Sequence, residues 1–331
     1  MSVRFGIVGT NWITEAFIQA ASFIEDFQVT AVYSRTEDKA KAFADKCNAT
    51  YTYTDLEEMA KSDTFDAVYI ASPNALHARQ AITFLNNKKH VLTEKALASN
   101  VDEVKQMVAA AKNNNTLLME ALKTTFLPNF QTIQEHLPKI GKVRRAFVSY
   151  CQYSSRYDAY KEGTVLNAFK PELSNGAIMD IGVYCVYPMI QLFGKPQEIK
   201  ANSYVLESGV DGEGSIIMKY PEMDIVIMYS KITNSYVPSE IQGEDGNLLI
   251  NQMNTPTKVE LYYRNGEKED LTRPQKEESM YYEAKEFIEL IKAGKTESSI
   301  NSYEVSLHAM EVMDEVRKQA GIVFPADQQN H

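Results

Sequence analysis

Val3-Arg4-Phe5-Gly6-Ile7-Val8-Gly9 is a short apolar run that Thr10-Asn11 breaks just before Trp12. Beyond the break, Ile13, Phe17, Ala20, Ala21 and Ile24 recur at helical spacing, so the stretch reads as strand, tight turn, helix. In that setting a glycine lets the backbone approach a pyrophosphate, and the helix N-terminus offers N–H groups and positive dipole. Against the pattern G-x-G-x-x-G/A the turn reads Gly9-x-Asn11-x-x-Thr14, so only the first glycine is present. Asn11 is acceptable at the second position because asparagine adopts positive φ more readily than other non-glycine residues. Its side chain is then expected to crowd a phosphate or bond to one. The turn of any α/β protein is the alternative reading. If the pyrophosphate reading holds, Gly9, Thr10, Asn11, Trp12 and Ile13 line a dinucleotide.

The pattern repeats outward from this turn. A second strand over 29–33 ends in Ser34-Arg35, where NAD-binding folds place an acid on the ribose 2′-OH. A hydroxyl and a guanidinium suit a 2′-phosphate instead, which predicts NADP(H) as the preferred cofactor with NAD(H) as the second candidate. An ordinary exposed arginine opening a helix is the rival. Further strands are expected at 50–53, 67–71, 91–93 and 117–119, alternating with helices, one of them opened by the capping box Asn100-x-x-Glu103. Alternation at this spacing predicts a doubly wound parallel sheet over residues 1–122, with ligands at the carboxyl ends of its strands. Gly9, Ser34, Ser72, Glu94-Lys95 and Glu120 all fall at those ends.

After Pro128 come a helix over 129–137, a long strand over 143–153 and a buried helix from about 177, and then short strands follow one another from 197 to 263 without intervening helices. Residues 123–331 therefore form an α+β domain with an open, mostly antiparallel sheet, closed by helices over 279–293 and 302–319. The fold class is α/β, in two domains. A net charge of −10 argues against nucleic acid or an anionic membrane as partner. The apolar stretch 176–194 holds Asp180 and Pro188 and reads as a buried core helix rather than a membrane span. Cys47, Cys151 and Cys185 form no CxxC or Cys/His cluster, so free thiols, no metal and a cytoplasmic setting are expected. With Val3 already opening a strand, no targeting segment is expected ahead of it.

Taken together, several motifs resemble the glucose–fructose oxidoreductase, inositol dehydrogenase and MocA-like (Gfo/Idh/MocA) family over nearly the whole length. They are Gly6-Ile7-Val8-Gly9-Thr10, Ser72-Pro73-Asn74-x-x-His77, Glu94-Lys95, Glu120-Ala121, Asn175-Gly176-Ala177-x-x-Asp180-Ile181-Gly182-Val183-Tyr184 and 321–327. Tyr184 at the last position of the helix motif is most similar to the dihydrodiol dehydrogenase-like branch. The resemblance implies an NAD(P)-dependent oxidoreductase acting on a sugar, polyol or related small molecule. Lys95, Asp180 and Tyr184 would serve the chemistry, and Ser72, Pro73, Asn74, His77, Glu94 and Lys95 itself would lie at the cofactor. It also implies a homodimer or homotetramer built through the second sheet.

The residue chemistry agrees with those roles. Asp180 and Tyr184 stand four apart on one helix and project from one face. A phenol with a pKa near ~10 is favoured as phenolate beside an ammonium, so Lys95 would bring Tyr184 into range to exchange a proton with a substrate oxygen. Lys95 would stabilise negative charge on that oxygen, and Asp180 would orient Lys95 or the substrate. A buried tyrosine with a structural acid is the plain alternative. His77 either lines the cofactor site or packs in its helix, and Lys123, Arg156 and Lys170 are substrate-binding candidates against ordinary surface charge. The chain departs from the family at Asn11, at Lys123 and at Ala96, where proline is usual. Without that proline, packing must hold Lys95. A cofactor-sensing protein without turnover and a reductase of non-sugar diols remain the other readings.

Overall fold

The computed structural model describes residues 2–328. Its first unit comprises Met1–Lys123 with Lys276–Ser306, and its second Thr124–Gln275 with Leu307–His331. In the first, strands β1 (Val3–Val8), β2 (Phe27–Tyr33), β3 (Tyr51–Tyr53), β4 (Ala67–Ile70), β5 (His90–Glu94) and β6 (Leu118–Ala121) order as β3-β2-β1-β4-β5-β6. All neighbours are parallel, as strands joined by crossover helices must be. The crossovers are α1 (Trp12–Ala21), α2 (Glu37–Cys47), α3 (Leu56–Lys61), α4 (Asn74–Asn86) and α5 (Val101–Asn114). Strand β4 is buried at every residue, the signature of a sheet covered on both faces. Helix α5 starts where the capping box places it: Asn100 Oδ1 accepts from Glu103 N at 3.0 Å, while the Glu103 carboxylate reaches back to Ser99 N at 2.8 Å.

The second unit opens with α6 (Pro128–His136), β7 (Val143–Cys151) and α7 (Tyr157–Lys161). One turn of π-helix, Ile178–Gly182, then runs into α8 (Val183–Phe193). Strands β8 (Glu198–Val205), β9 (Asp211–Lys219), β10 (Asp224–Ser230), β11 (Ser239–Gly243), β12 (Gly246–Ile250), β13 (Val259–Tyr263) and β14 (Lys268–Asp270) complete an eight-stranded sheet in the order β14-β13-β12-β11-β7-β10-β9-β8. Only β7 and β10 run parallel. The inner face carries Ile216, Met218, Ile225, Ile227 and Tyr229, all buried, and α8 lies along β7 and β10. The stretch Pro171–Phe193 is long and apolar enough to cross a membrane, yet 72% of its apolar window is buried within the protein.

Helix α9 (Tyr281–Lys292) departs from the single cut after residue 122, because it returns to the first unit. α10 (Tyr303–Ala320) then carries the chain back to the second. The physical reason lies in aromatic packing. Phe287 of α9 stands 6.0 Å from Phe5 of β1, ring to ring, and Phe5 meets Phe17 of α1 at 6.2 Å. Phe17 stacks on Tyr69 of β4 at 3.8 Å. A fully buried phenylalanine truncated to alanine leaves a cavity as well as losing transfer energy. Phe287→Ala should therefore lower stability by about 3–5 kcal/mol in urea unfolding, as it would for a core residue of the first sheet. A loss no greater than that of an exposed site would show that α9 is only loosely attached.

Candidate active site

In the first unit the predicted cofactor residues gather at the carboxyl ends of β1, β2 and β4. Gly9 has φ of +108°, and a Cβ there would sit 2.6 Å from the Ala71 carbonyl oxygen, so only glycine lets β1 and β4 close up at this turn. Asn11 differs from expectation: its φ is −116°, and its side chain is used locally. Oδ1 accepts from Ile13 N at 3.0 Å and Thr14 N at 3.4 Å, while Nδ2 donates to Ala71 O at 2.9 Å. Asparagine is present as the N-cap of α1, and its amide also ties the turn to the residue after β4. Thr10 is half-buried, Trp12 is exposed at the first turn of α1, and Ile13 is half-buried. At the end of β2, Ser34 is buried with its N–H bonded to Tyr53 O, and Arg35 is exposed beside it. The turn, the helix N-terminus and the exposed guanidinium fit a dinucleotide with a 2′-phosphate.

The segment carrying Lys95 is held from three directions, all within this unit. Glu94, at the end of β5, accepts from the Tyr69 hydroxyl at 2.6 Å. Glu120 Oε1 accepts from Leu97 N at 3.0 Å, and its Oε2 from Ser306 Oγ at 2.8 Å. His77 is fully buried, with Nδ1 2.9 Å from Ala96 O and Nε2 2.8 Å from Ser72 O. The ring thus sits between the Ser72-Pro73-Asn74 turn and the residue after Lys95, donating to one of the two carbonyls according to its tautomer. The Lys95–Ala96 peptide bond is cis. Asn74 is buried at the start of α4, and Pro73 is half-buried before it.

Burial sets the electrostatics here. It pushes the Glu120 carboxyl up to about 7 and raises Glu94, against the opposing bond from Tyr69. It holds His77 below the usual histidine range, with neighbouring Lys95 acting the same way. Lys123, bonded through Nζ to Ser279 Oγ at 2.9 Å, is likewise lowered by burial, against the charges of Glu283 and Glu94. Glu283 of α9 is the residue sequence reasoning missed. It is wholly buried, neither carboxylate oxygen has a hydrogen-bond partner among the described residues, and burial lifts it well above the carboxylate range. Its signal was an acid at the spacing of Ala284, Phe287 and Ile288, the buried stripe of α9.

In the second unit, the Asp211 carboxylate accepts from Ala177 N at 2.9 Å and Ile178 N at 2.8 Å, anchoring the start of the π turn. Gly176, with φ of +137°, is required because a Cβ would collide with that same carboxylate. Asp180 therefore lies on a π turn and Tyr184 on the first turn of α8, rather than both on a regular α-helix. Wide turns of this kind are frequent at functional sites. The Tyr184 ring meets Tyr150 of β7 edge-on at 5.9 Å. Asp180 is ion-paired with Lys231, a partner the sequence did not suggest. Arg156 is exposed ahead of α7, and Lys170 lies 3.9 Å from Glu172. All three cysteines are free, and among the described residues no group of His, Cys, Asp and Glu is disposed to hold a metal ion.

Residues 3–122 match the model of the oxidoreductase family with an NAD-binding Rossmann fold, and residues 130–249 match the GFO/IDH/MocA C-terminal domain. The chain is 58% identical to the scyllo-inositol 2-dehydrogenase (NADP(+)) IolU of Bacillus subtilis, over 98% of this chain and 99% of that one. It is 31% identical to the trans-1,2-dihydrobenzene-1,2-diol dehydrogenase of Danio rerio, over 99% and 100%. A solved 3-ketoreductase from Actinomadura kijaniata, KijD10 in complex with NADP and TDP-benzene, shares the fold at a TM-score of 0.83 and 22% identity, covering 97% of this chain and 98% of that one. With both domain types matched in order and a relative this similar end to end, the chain is an NAD(P)-dependent oxidoreductase and belongs to the Gfo/Idh/MocA family.

Proposed function

We propose that this enzyme is an NADP(H)-dependent dehydrogenase or reductase of a polyol, sugar or related hydroxy/oxo compound. The observation that carries the reading is the 58% identity, over 98% of the chain, to an NADP-dependent dehydrogenase of scyllo-inositol. Bound nicotinamide would supply the hydride acceptor or donor. Tyr184 exchanges the hydroxyl proton with the substrate, and Lys95 steadies the negative charge that develops on the same oxygen. The clamp on residues 94–97 supports this role, since an ammonium is useful only where it is placed before the charge appears. Asp180 binds a substrate hydroxyl, with Lys123, Arg156 and Lys170 as further candidates for substrate oxygens. Non-sugar diols are the second reading, favoured by the 31% identity to a dihydrodiol dehydrogenase.

The 2′-phosphate is read by Ser34 and Arg35, which lie where NAD-specific folds place an acid. A cytoplasmic setting suits three free thiols. A homodimer or homotetramer forms through the outer face of the second sheet. Across that face one row of the register runs Ile217, Val226, Phe147, Glu240 and Leu249, and Ile217 is exposed. All of that row but Glu240 is apolar and only partly buried or exposed, and such side chains suit a copy of the same surface.

Replacing Lys95 with Met should reduce turnover of scyllo-inositol or a related polyol by about 100-fold or more, with NADPH binding, followed by fluorescence, unchanged. Undiminished turnover would sink the role given to Lys95. Arg35→Ala should weaken NADPH about 10-fold or more while leaving NADH nearly untouched, the cost of a lost charge-assisted bond. Equal binding of the two cofactors by the unaltered enzyme would remove the 2′-phosphate reading. Light scattering should return at least twice the chain mass of 37.4 kDa, and a single chain mass would exclude the proposed assembly.

A further inference from the structure

Lys231 follows β10, and its side chain is only 3% exposed. Its main chain is fixed on both sides: the N–H donates to Gly212 O and the carbonyl accepts from Ser154 N, each at 2.8 Å. The ammonium is ion-paired with Asp180 Oδ2 and lies 5.5 Å from the centre of the Phe169 ring. The Asp180 side chain, by contrast, is 35% exposed. The pair is therefore lopsided, with its cation inside the unit and its anion at the surface. A buried ammonium is costly to desolvate, and a close-fitting apolar side chain would generally serve packing as well or better. What the ammonium supplies and a methionine does not is a fixed counter-charge beneath the carboxylate.

We infer that Lys231 is a positioning residue for the reaction: it holds one oxygen of Asp180 from behind and turns the exposed part of an ionised carboxylate outward to accept a hydrogen bond from a hydroxyl of an uncharged substrate. The inference rests on the proposed dehydrogenase reading, in which Asp180 binds substrate. Within the second unit, the ion-pair partner of Asp180 is Lys231. The π turn contributes by presenting Asp180 above the end of β10, the two being adjacent in the packing of this unit. An arginine at 231 keeps the charge, whereas methionine and glutamine keep the bulk and lose it.

The test is steady-state kinetics of polyol oxidation with NADP+, scyllo-inositol first and then a panel of polyols and diols. The enzymes are the unaltered chain, Lys231→Met, Lys231→Gln, Lys231→Arg and Asp180→Asn. Lys231→Met should raise KM for the polyol about 10-fold or more, with NADPH binding unchanged and a melting temperature close to that of the parent. Lys231→Arg should recover most of the loss, and Lys231→Gln should not. If Lys231→Met does not fold, the Gln and Arg variants decide by the same comparison. A folded Met or Gln variant with unchanged KM and kcat would overturn the proposal, as would an Arg variant as impaired as the neutral ones. Should Asp180→Asn be impaired while Lys231→Met is not, only the role of Lys231 falls. If Asp180→Asn turns over normally, the reading of Asp180 fails and Lys231 with it. No turnover by the unaltered enzyme on any compound of the panel would overturn the functional reading and this inference together.

Discussion

Two buried carboxylates at neighbouring strand ends govern the first unit. Glu94 closes β5 and Glu120 lies on β6, and both are buried. A buried acid needs donors, and the donors available here belong to residues that then lose their freedom. Tyr69 gives its hydroxyl to Glu94, and Leu97 gives its main-chain N–H to Glu120. Because Leu97 is fixed by the second bond and Glu94 by the first, the residues between them have little room to move. His77 adds a bridge to the carbonyl of Ala96. The restraint that a proline after Lys95 would impose through its ring is here supplied by hydrogen bonds from three different elements.

That clamp is connected to the core. Tyr69 stacks on Phe17, which packs with Phe5, which in turn meets Phe287 of α9. The same helix brings Glu283 into the electrostatic field of Glu94 and Lys123. A segment nearly 160 residues further along the chain than Lys123 thus bears on the charge environment of the expected active site. Both units carry buried ionisable groups whose cost folding alone does not explain, Glu283 in the first and Lys231 in the second. Groups of this kind concentrate where proteins do chemistry, because the desolvation that shifts their charge state also strengthens their action on a substrate.

The outline of the molecule was legible in the chain because it depends on local periodicity. Apolar runs of strand length alternating with helical stripes can only become a parallel sheet with crossovers, and strands without helices between them become a mostly antiparallel one. Gly9 was legible for a similar reason, since a glycine after a strand and before a helix marks a place where backbone must come close. The capping box of α5 needed only four neighbouring residues. Asn11 was partly legible: its position in the turn was right, but its use as an N-cap with a bond to Ala71 depends on how near β4 lies.

What tertiary structure decided is everything that joins distant parts of the chain. Asp180 pairs with Lys231 across 51 positions, and no periodicity links a helix residue to the end of a strand that far away. Ser306 reaches Glu120 across 186 positions. Helix α9 belongs to the first unit although Thr124–Gln275 of the second unit intervene, because its phenylalanine completes an aromatic cluster begun at Phe5. The sequence by itself determined the kinds of layers, the order of the motifs and the strand ends at which they lie. Burial and pairing, which depend on the whole chain being folded, decided which charges face one another and how firmly the Lys95 segment is held.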